Sequence, residues 1–308
     1  MKVALLLTGQ LRTWKMTRYL VDNIKQNYDT DVFLSIDKNN NLQHEHKNNH
    51  TQSNDADIDE AMKHYKPVDS FISYDYSESD FIKTIQTQKI VYTPTTLNNF
   101  NTEKIYRKEE HKIAINALYS TKNCSKNIQY EDTRNYKILA EQYYMVFKAY
   151  EMLEKYVLKT STNYDLVIRL RFDQFIWNNE DIKKYNFEYH NNDITYNEHN
   201  ISRMMTLTKD SISLKIDEVK ENTIYVFGGG CYKYYAYIND QFWVHAPTLN
   251  DKMKNFYNEL PTIINECKNT FYPNYGCWIE HFFCKYLFQN GITIEKSCVD
   301  GVFIRQNK

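Results

Sequence analysis

Hydrophobic residues along the chain gather in short unbroken runs, separated by longer stretches in which apolar positions recur at helical spacing. Lys2 to Leu7 is such a run, closed by Thr8 and Gly9, and it reads as a buried strand followed by a tight loop. Across Thr17 to Tyr28, Met16, Leu20, Val21 and Ile24 fall on one helical face, and Asp31 to Ile36 is a second apolar strand. Strand, helix and strand in this order predict a parallel sheet, with a ligand site at the carboxyl ends of its strands.

From Asp37 to Asp59 the chain is almost wholly polar, the composition of a mobile surface loop. A helix is expected over Ile58 to Tyr65 and a strand over Val68 to Tyr74. Glu78 to Arg134 has weak periodicity and reads as irregular with helical pieces. The clearest apolar stripe, Leu139, Tyr143, Val146, Phe147, Tyr150, Leu153 and Val157, predicts a helix over Tyr136 to Leu158. Tyr164 to Asp173 then reads as a strand with charges at its end, and Ile224 to Phe227 as a strand running into Gly228, Gly229 and Gly230. Helices are expected over Thr248 to Phe256 and Trp278 to Phe288. No repeat and no linker interrupts the chain, so the pattern predicts one α/β domain.

Composition narrows the partners. The 308 residues carry 38 Lys and Arg against 39 Asp and Glu, a formal charge of −1, without the basic excess that nucleic-acid binding requires. The 42% of hydrophobic residues is enough to build a core. The many Tyr, Asn and Lys residues match AT-rich codons and carry no functional weight. The run at Met1 to Leu7 is too short for a secretory signal, and no window approaches the roughly 18 apolar residues of a membrane helix. A soluble, cytoplasmic protein with no membrane span is expected. Six scattered cysteines without a CxxC pair are expected to be reduced and mostly buried.

Three stretches are candidates for chemistry. Thr8, Gly9, Gln10, Leu11 and Arg12 lie where the first strand hands over to the first helix; their backbone N–H groups and Arg12 suit phosphate oxygens, the alternative being a plain turn. This loop has neither the Walker A nor the GxGxxG pattern. Arg169, Arg171 and Asp173 alternate, so in a strand they share one face. Such a row suits a diphosphate, with the carboxylate holding a divalent cation or a sugar hydroxyl, or else it forms an ion pair closing a buried strand. Gly228 to Gly230 either lets backbone approach a ligand closely or makes a tight turn. His44, His46 and His50 lie in the Asn-rich stretch without partner cysteines and read as solvated. Cys277 and Cys284 read as core, and the tyrosines from Tyr232 to Tyr237 as either a sugar-stacking face or sheet packing.

Taken together, Lys2 to Thr13, the helix carrying Gln142-Tyr-Tyr, Tyr164 to Asp173, and Asn239-Asp-Gln-Phe242 resemble a group of GT-A-type glycosyltransferases found in large DNA viruses and bacterial surface-polysaccharide loci. The resemblance rests on short blocks in both halves of the chain and skips residues 37 to 135. It implies a GT-A-like fold: a Rossmann-like nucleotide-binding half over about residues 1–175, with a mixed, mainly parallel sheet, and an acceptor-side half over about 176–308. A viral member would work in the host cytoplasm. Thr8, Gly9, Gln10, Arg12, Arg169, Arg171 and Gly229 would hold a UDP- or GDP-sugar. Arg171-Phe172-Asp173 stands where the family has Asp-x-Asp, so only Asp173 inherits the role of ligand to Mn²⁺ or Mg²⁺. Asp240 and Gln241 match an Asp-Gln element of retaining enzymes beside the reacting sugar, although Asp240 equally suits a helix N-cap. Glu280, with His281, adds a second carboxylate; His281 or His245 would complete a metal shell or simply pack. The implied reaction moves a sugar to a hydroxyl of a glycan acceptor. A sugar-1-phosphate nucleotidyltransferase and a non-catalytic glycan-binding protein are the competing readings.

Overall fold

The computed structural model describes residues 1–12, 14–38, 54–74, 90–91, 129–130, 133–178, 189–190, 193–194, 219–226, 240–267, 279–297 and 299–303. Strand β1 (Lys2–Gly9), helix α1 (Trp14–Asn27) and strand β2 (Asp29–Asp37) form the expected opening, followed by α2 (Asp55–Tyr65) and β3 (Asp69–Ser73). Next come the short strands β4 (Ile90–Val91) and β5 (Gln129–Tyr130), the long helix α3 (Thr133–Thr160), β6 (Leu166–Arg171) and β7 (Gln174–Asn178). The short pair β8 (Tyr189–His190) and β9 (Asp193–Ile194) precedes β10 (Thr223–Val226) and β11 (Phe242–His245). A 3₁₀ turn (Pro247–Leu249), α4 (Asn250–Cys267), α5 (Ile279–Gln289), β12 (Thr293–Lys296) and β13 (Val299–Phe303) complete the order.

Seven strands form one sheet in the order β12-β10-β11-β6-β1-β2-β3. β1 runs parallel to β2 and β6, β2 to β3, and β10 to β12, while β11 is antiparallel to both of its neighbours. The protein is therefore α/β with a mixed, mainly parallel sheet, compatible with a Rossmann-like fold. Strands from before and after residue 175 share this sheet.

The continuous apolar run in β1 is explained by burial on both faces, as parallel strands require. Ala4 and Leu6 belong to a cluster that packs beneath α3, α4 and α5, whereas Val3, Leu5 and Leu7 join residues of α1 and α2 on the other face. Helix α2 begins at Asn54, whose side chain accepts the Asp57 N–H at 2.7 Å, and ends at Lys66 in the left-handed region. Helix α4 runs well past the expected end at Phe256. Its stripe continues through Leu260 and Ile263 into the core, which outweighs the backbone hydrogen bond that Pro261 removes. β7, β11, β12 and β13 were not expected from the sequence.

His245, at the end of β11, is fully buried, with Nε2 2.6 Å from the Tyr150 hydroxyl and Nδ1 2.8 Å from the Ala246 carbonyl. The carbonyl accepts only from Nδ1–H, so Nε2 accepts from Tyr150. Burial pushes the imidazole pKa down to about 4. An unfolded histidine titrates near 6.5, so between those values the unfolded chain binds the extra proton and stability falls as pH falls. The melting temperature is expected to drop between about pH 6.5 and pH 4, and His245→Gln should flatten that slope in a calorimetric pH series. An unchanged slope would assign the acid sensitivity to other groups.

Candidate functional site

From β1 the sheet grows outward through β2 and β3 on one side, while β6 starts the other side. Ligands of open α/β sheets bind in the crevice at such a reversal, outside the carboxyl ends of the strands. Four stretches meet there: the loop after β1, Asp37 at the end of β2, Arg171 to Asp173 at the end of β6, and Asp240 with Gln241 at the start of β11. The reversed direction of β11 delivers its first residues, rather than its last, to this edge.

Register fixes the side chains. Thr8 lies opposite Arg171, and Leu6 opposite Arg169, which itself faces Trp243 of β11. Arg169 therefore stands in a row of core residues. It is almost fully buried, its guanidinium 4.5 Å from the Trp243 ring centroid. Its Nε donates to Thr8 Oγ1 at 3.1 Å and its Nη1 to the Asp240 carbonyl, which ties β1 to the start of β11. Burial pulls its pKa down to about 10, against the opposing pull of the Asp240 charge.

Nearer the rim, Asp173 joins the loop to β6. Arg171 grips it with Nε on Oδ1 at 3.0 Å and Nη2 on Oδ2 at 3.2 Å, and Arg12 Nη1 meets Oδ2 at 3.1 Å. The ion pair foreseen as the structural alternative for this stretch is thus formed. Burial alone would raise the pKa of Asp173; Arg171 and Arg12 outweigh it and hold the carboxyl below its ordinary range. Arg171 is likewise depressed by burial but raised overall by Asp173. Gln10 accepts from Arg12 Nε at 3.0 Å and donates to Asp37 at 3.0 Å. Gly9 has φ 107° and Arg12 φ 37°, the latter costing about 1–2 kcal/mol for a residue with a side chain. Such strain persists where the surroundings over-determine it.

Asp240 precedes a strand, so it caps no helix. Its Oδ2 accepts from the Gln142 amide and, at 3.2 Å, from the Tyr143 hydroxyl; among the described residues nothing is bonded to Oδ1. Gln142 Oε1 also lies 3.5 Å from Arg171 Nη1, so α3 braces both arms of the site. Gln241 accepts from Gln174 at 3.3 Å. Asp37 and Gln174 are residues that sequence reasoning did not single out; Tyr143 entered it as part of an apolar helical stripe, and Gln142 only through the resemblance.

The Asp173 carboxylate does not suit a divalent cation. Two guanidinium groups already share its oxygens, and a dication beside them would be repelled by both. Among the described residues no three His, Cys, Asp or Glu side chains converge as a metal site. Gly229, the tyrosines from Tyr232 to Tyr237, His44, His46, His50 and Cys277 lie outside the described residues, as do the side chains of Glu280 and His281. Cys284 is a buried free thiol. A cavity of about 280 Å³ beside Tyr150, Glu154, Pro247 and Lys254 lies past the carboxyl end of β11 and holds none of these site residues. No described helix is long and apolar enough to cross a membrane.

No family model and no curated protein matches the chain.

Proposed function

We propose that the protein is a GT-A-type glycosyltransferase that moves a sugar from a UDP- or GDP-sugar to a glycan hydroxyl. The observation that carries this reading is the convergence, at one sheet edge, of Arg12 and Arg171 with the half-anchored carboxylate of Asp240. In the transfer, the bond from the sugar's anomeric carbon to the diphosphate breaks and its electron pair stays on the leaving oxygen. The acceptor hydroxyl oxygen bonds the anomeric carbon and gives up its proton. Guanidinium groups beside the leaving oxygen stabilise the charge developing there. Asp240 Oδ1 accepts a hydrogen bond from the donor sugar or the proton of the acceptor, with Oδ2 pinned by Gln142 and Tyr143. The mixed, mainly parallel sheet and its reversal at β1 and β6 support the fold part of the reading.

UDP or GDP is expected to raise the melting temperature, whereas NAD and ATP are not, since the loop after β1 lacks the glycine patterns for both. At a hundred times its Kd, a nucleoside diphosphate stabilises by about 2.7 kcal/mol, a shift readily seen by scanning fluorimetry. A flat response to every nucleoside diphosphate would sink the proposal and favour a glycan-binding protein. A response to nucleoside triphosphates and sugar phosphates, without UDP or GDP, would favour the nucleotidyltransferase.

A further inference from the structure

We propose that Arg12 and Arg171 form a diphosphate clamp that works without a divalent cation, and that Asp173 is the brace of this clamp rather than a metal ligand. The inference rests on the transferase reading above and concerns how its donor is held. Its basis is a layering of charge. Asp173 is 1% exposed, while the side chains of Arg12 and Arg171 are 14% and 16% exposed, so the arginines reach nearer to solvent than the carboxylate they hold. A ligand arriving at this edge meets positive charge first. An anion suits that order and a cation does not.

Within the trio two positive charges stand against one negative, a local excess beside which the Asp240 charge also acts on Arg171. Asp173 also fixes geometry. It grips Arg171 through two parallel N–H···O bonds, the arrangement that holds a guanidinium plane most rigidly, and it reaches Arg12 across 161 positions of sequence. Gln10 on Arg12 and Gln142 beside Arg171 restrict the two side chains further. Arginines held in this way lose little freedom when a ligand binds, which is where a preorganised site gains affinity. The positive charge that a cation would bring to the leaving diphosphate is supplied here by residues whose pKa keeps them charged at any physiological pH.

The test uses the full chain and two probes, UDP and inorganic pyrophosphate, titrated calorimetrically in EDTA and again in Mn²⁺. Each probe is expected to bind with the same affinity in both media, within about twofold. Arg12→Ala and Arg171→Lys should each weaken both probes by about tenfold to a hundredfold, the cost of a lost charge-assisted hydrogen bond. Asp173→Asn should weaken binding equally in EDTA and in Mn²⁺, because it loosens the arginines rather than emptying a metal site. A rise of tenfold or more on adding Mn²⁺, erased by Asp173→Asn, would overturn the proposal and return Asp173 to the role of metal ligand. The wild-type comparison alone decides this if the variants fail to fold. Pyrophosphate binding in EDTA without any binding of UDP or GDP would keep the clamp and reject the transferase; UDP binding that needs Mn²⁺ would keep the transferase and reject the clamp.

Discussion

Asp240→Asn is expected to slow sugar transfer by about 10²–10⁴-fold, the span that a positioned general base contributes, while the protein melts nearly as before. The substitution keeps shape. The Asp240 carbonyl retains its bond from Arg169, and the asparagine oxygen still accepts from Gln142 or Tyr143. What disappears is the negative charge at Oδ1 and its ability to take a proton. The measurement is the rate of nucleoside diphosphate release in the presence of a glycan acceptor, using the donor that gives the largest thermal shift. Transfer at the wild-type rate would give Asp240 a purely structural role, with α3 holding it for the sake of the fold. An equal loss of UDP affinity would instead mean that the substitution disturbs the arginine arm, to which Gln142 connects it.

Trp243→Ala is expected to cost about 3–5 kcal/mol in chemical denaturation, the range for emptying a large aromatic site in a core. Trp243 is fully buried, with the Phe283 ring of α5 5.0 Å away and the Arg169 guanidinium 4.5 Å from its ring centroid. Its indole N–H donates to Tyr150 at 3.0 Å. Domains have only about 5–15 kcal/mol in total, so this one truncation removes a large part of the margin. Trp243→Phe keeps most of the volume and an aromatic face for Arg169 and loses one hydrogen bond, so its cost should be nearer 1 kcal/mol. Equal midpoints for Trp243→Ala and the wild type would mean that β11 does not pair with β6 as described.

The first strand was legible from its unbroken apolar run, and the first helix and the long helix from apolar stripes that recur over several turns. β11 was not. Its four residues, Phe-Trp-Val-His, are all buried, so no alternation marks a solvent face, and its place depends on pairing with β6. Alternation correctly put Arg169 and Arg171 on one face, yet nothing local distinguishes an arginine at a rim from one seated between Leu6 and Trp243. Gln142 is a polar residue beside an apolar stripe; its partners lie 29 and 98 positions away in sequence and are visible only in the fold. Asp37 was legible only as the edge of a polar stretch, because its value to the site comes from Gln10, 27 positions earlier.

The order of strands also bears on how the protein comes into being. β1, β2 and β3 follow one another both in the chain and in the sheet, but β6 lies beside β1 after a long excursion, and β11 covers the other flank of β6 only once residues 242 to 245 exist. Contacts between distant segments are slow to form, because loop closure opposes them before packing rewards them. Until β11 arrives, β6 has a bare edge of unpaired backbone groups, the kind of surface that recruits other chains. Asp240 lies two residues before the strand that covers this edge. A nascent chain therefore cannot assemble the crevice early: covering the open edge of β6 and bringing in Asp240 both wait for the same segment.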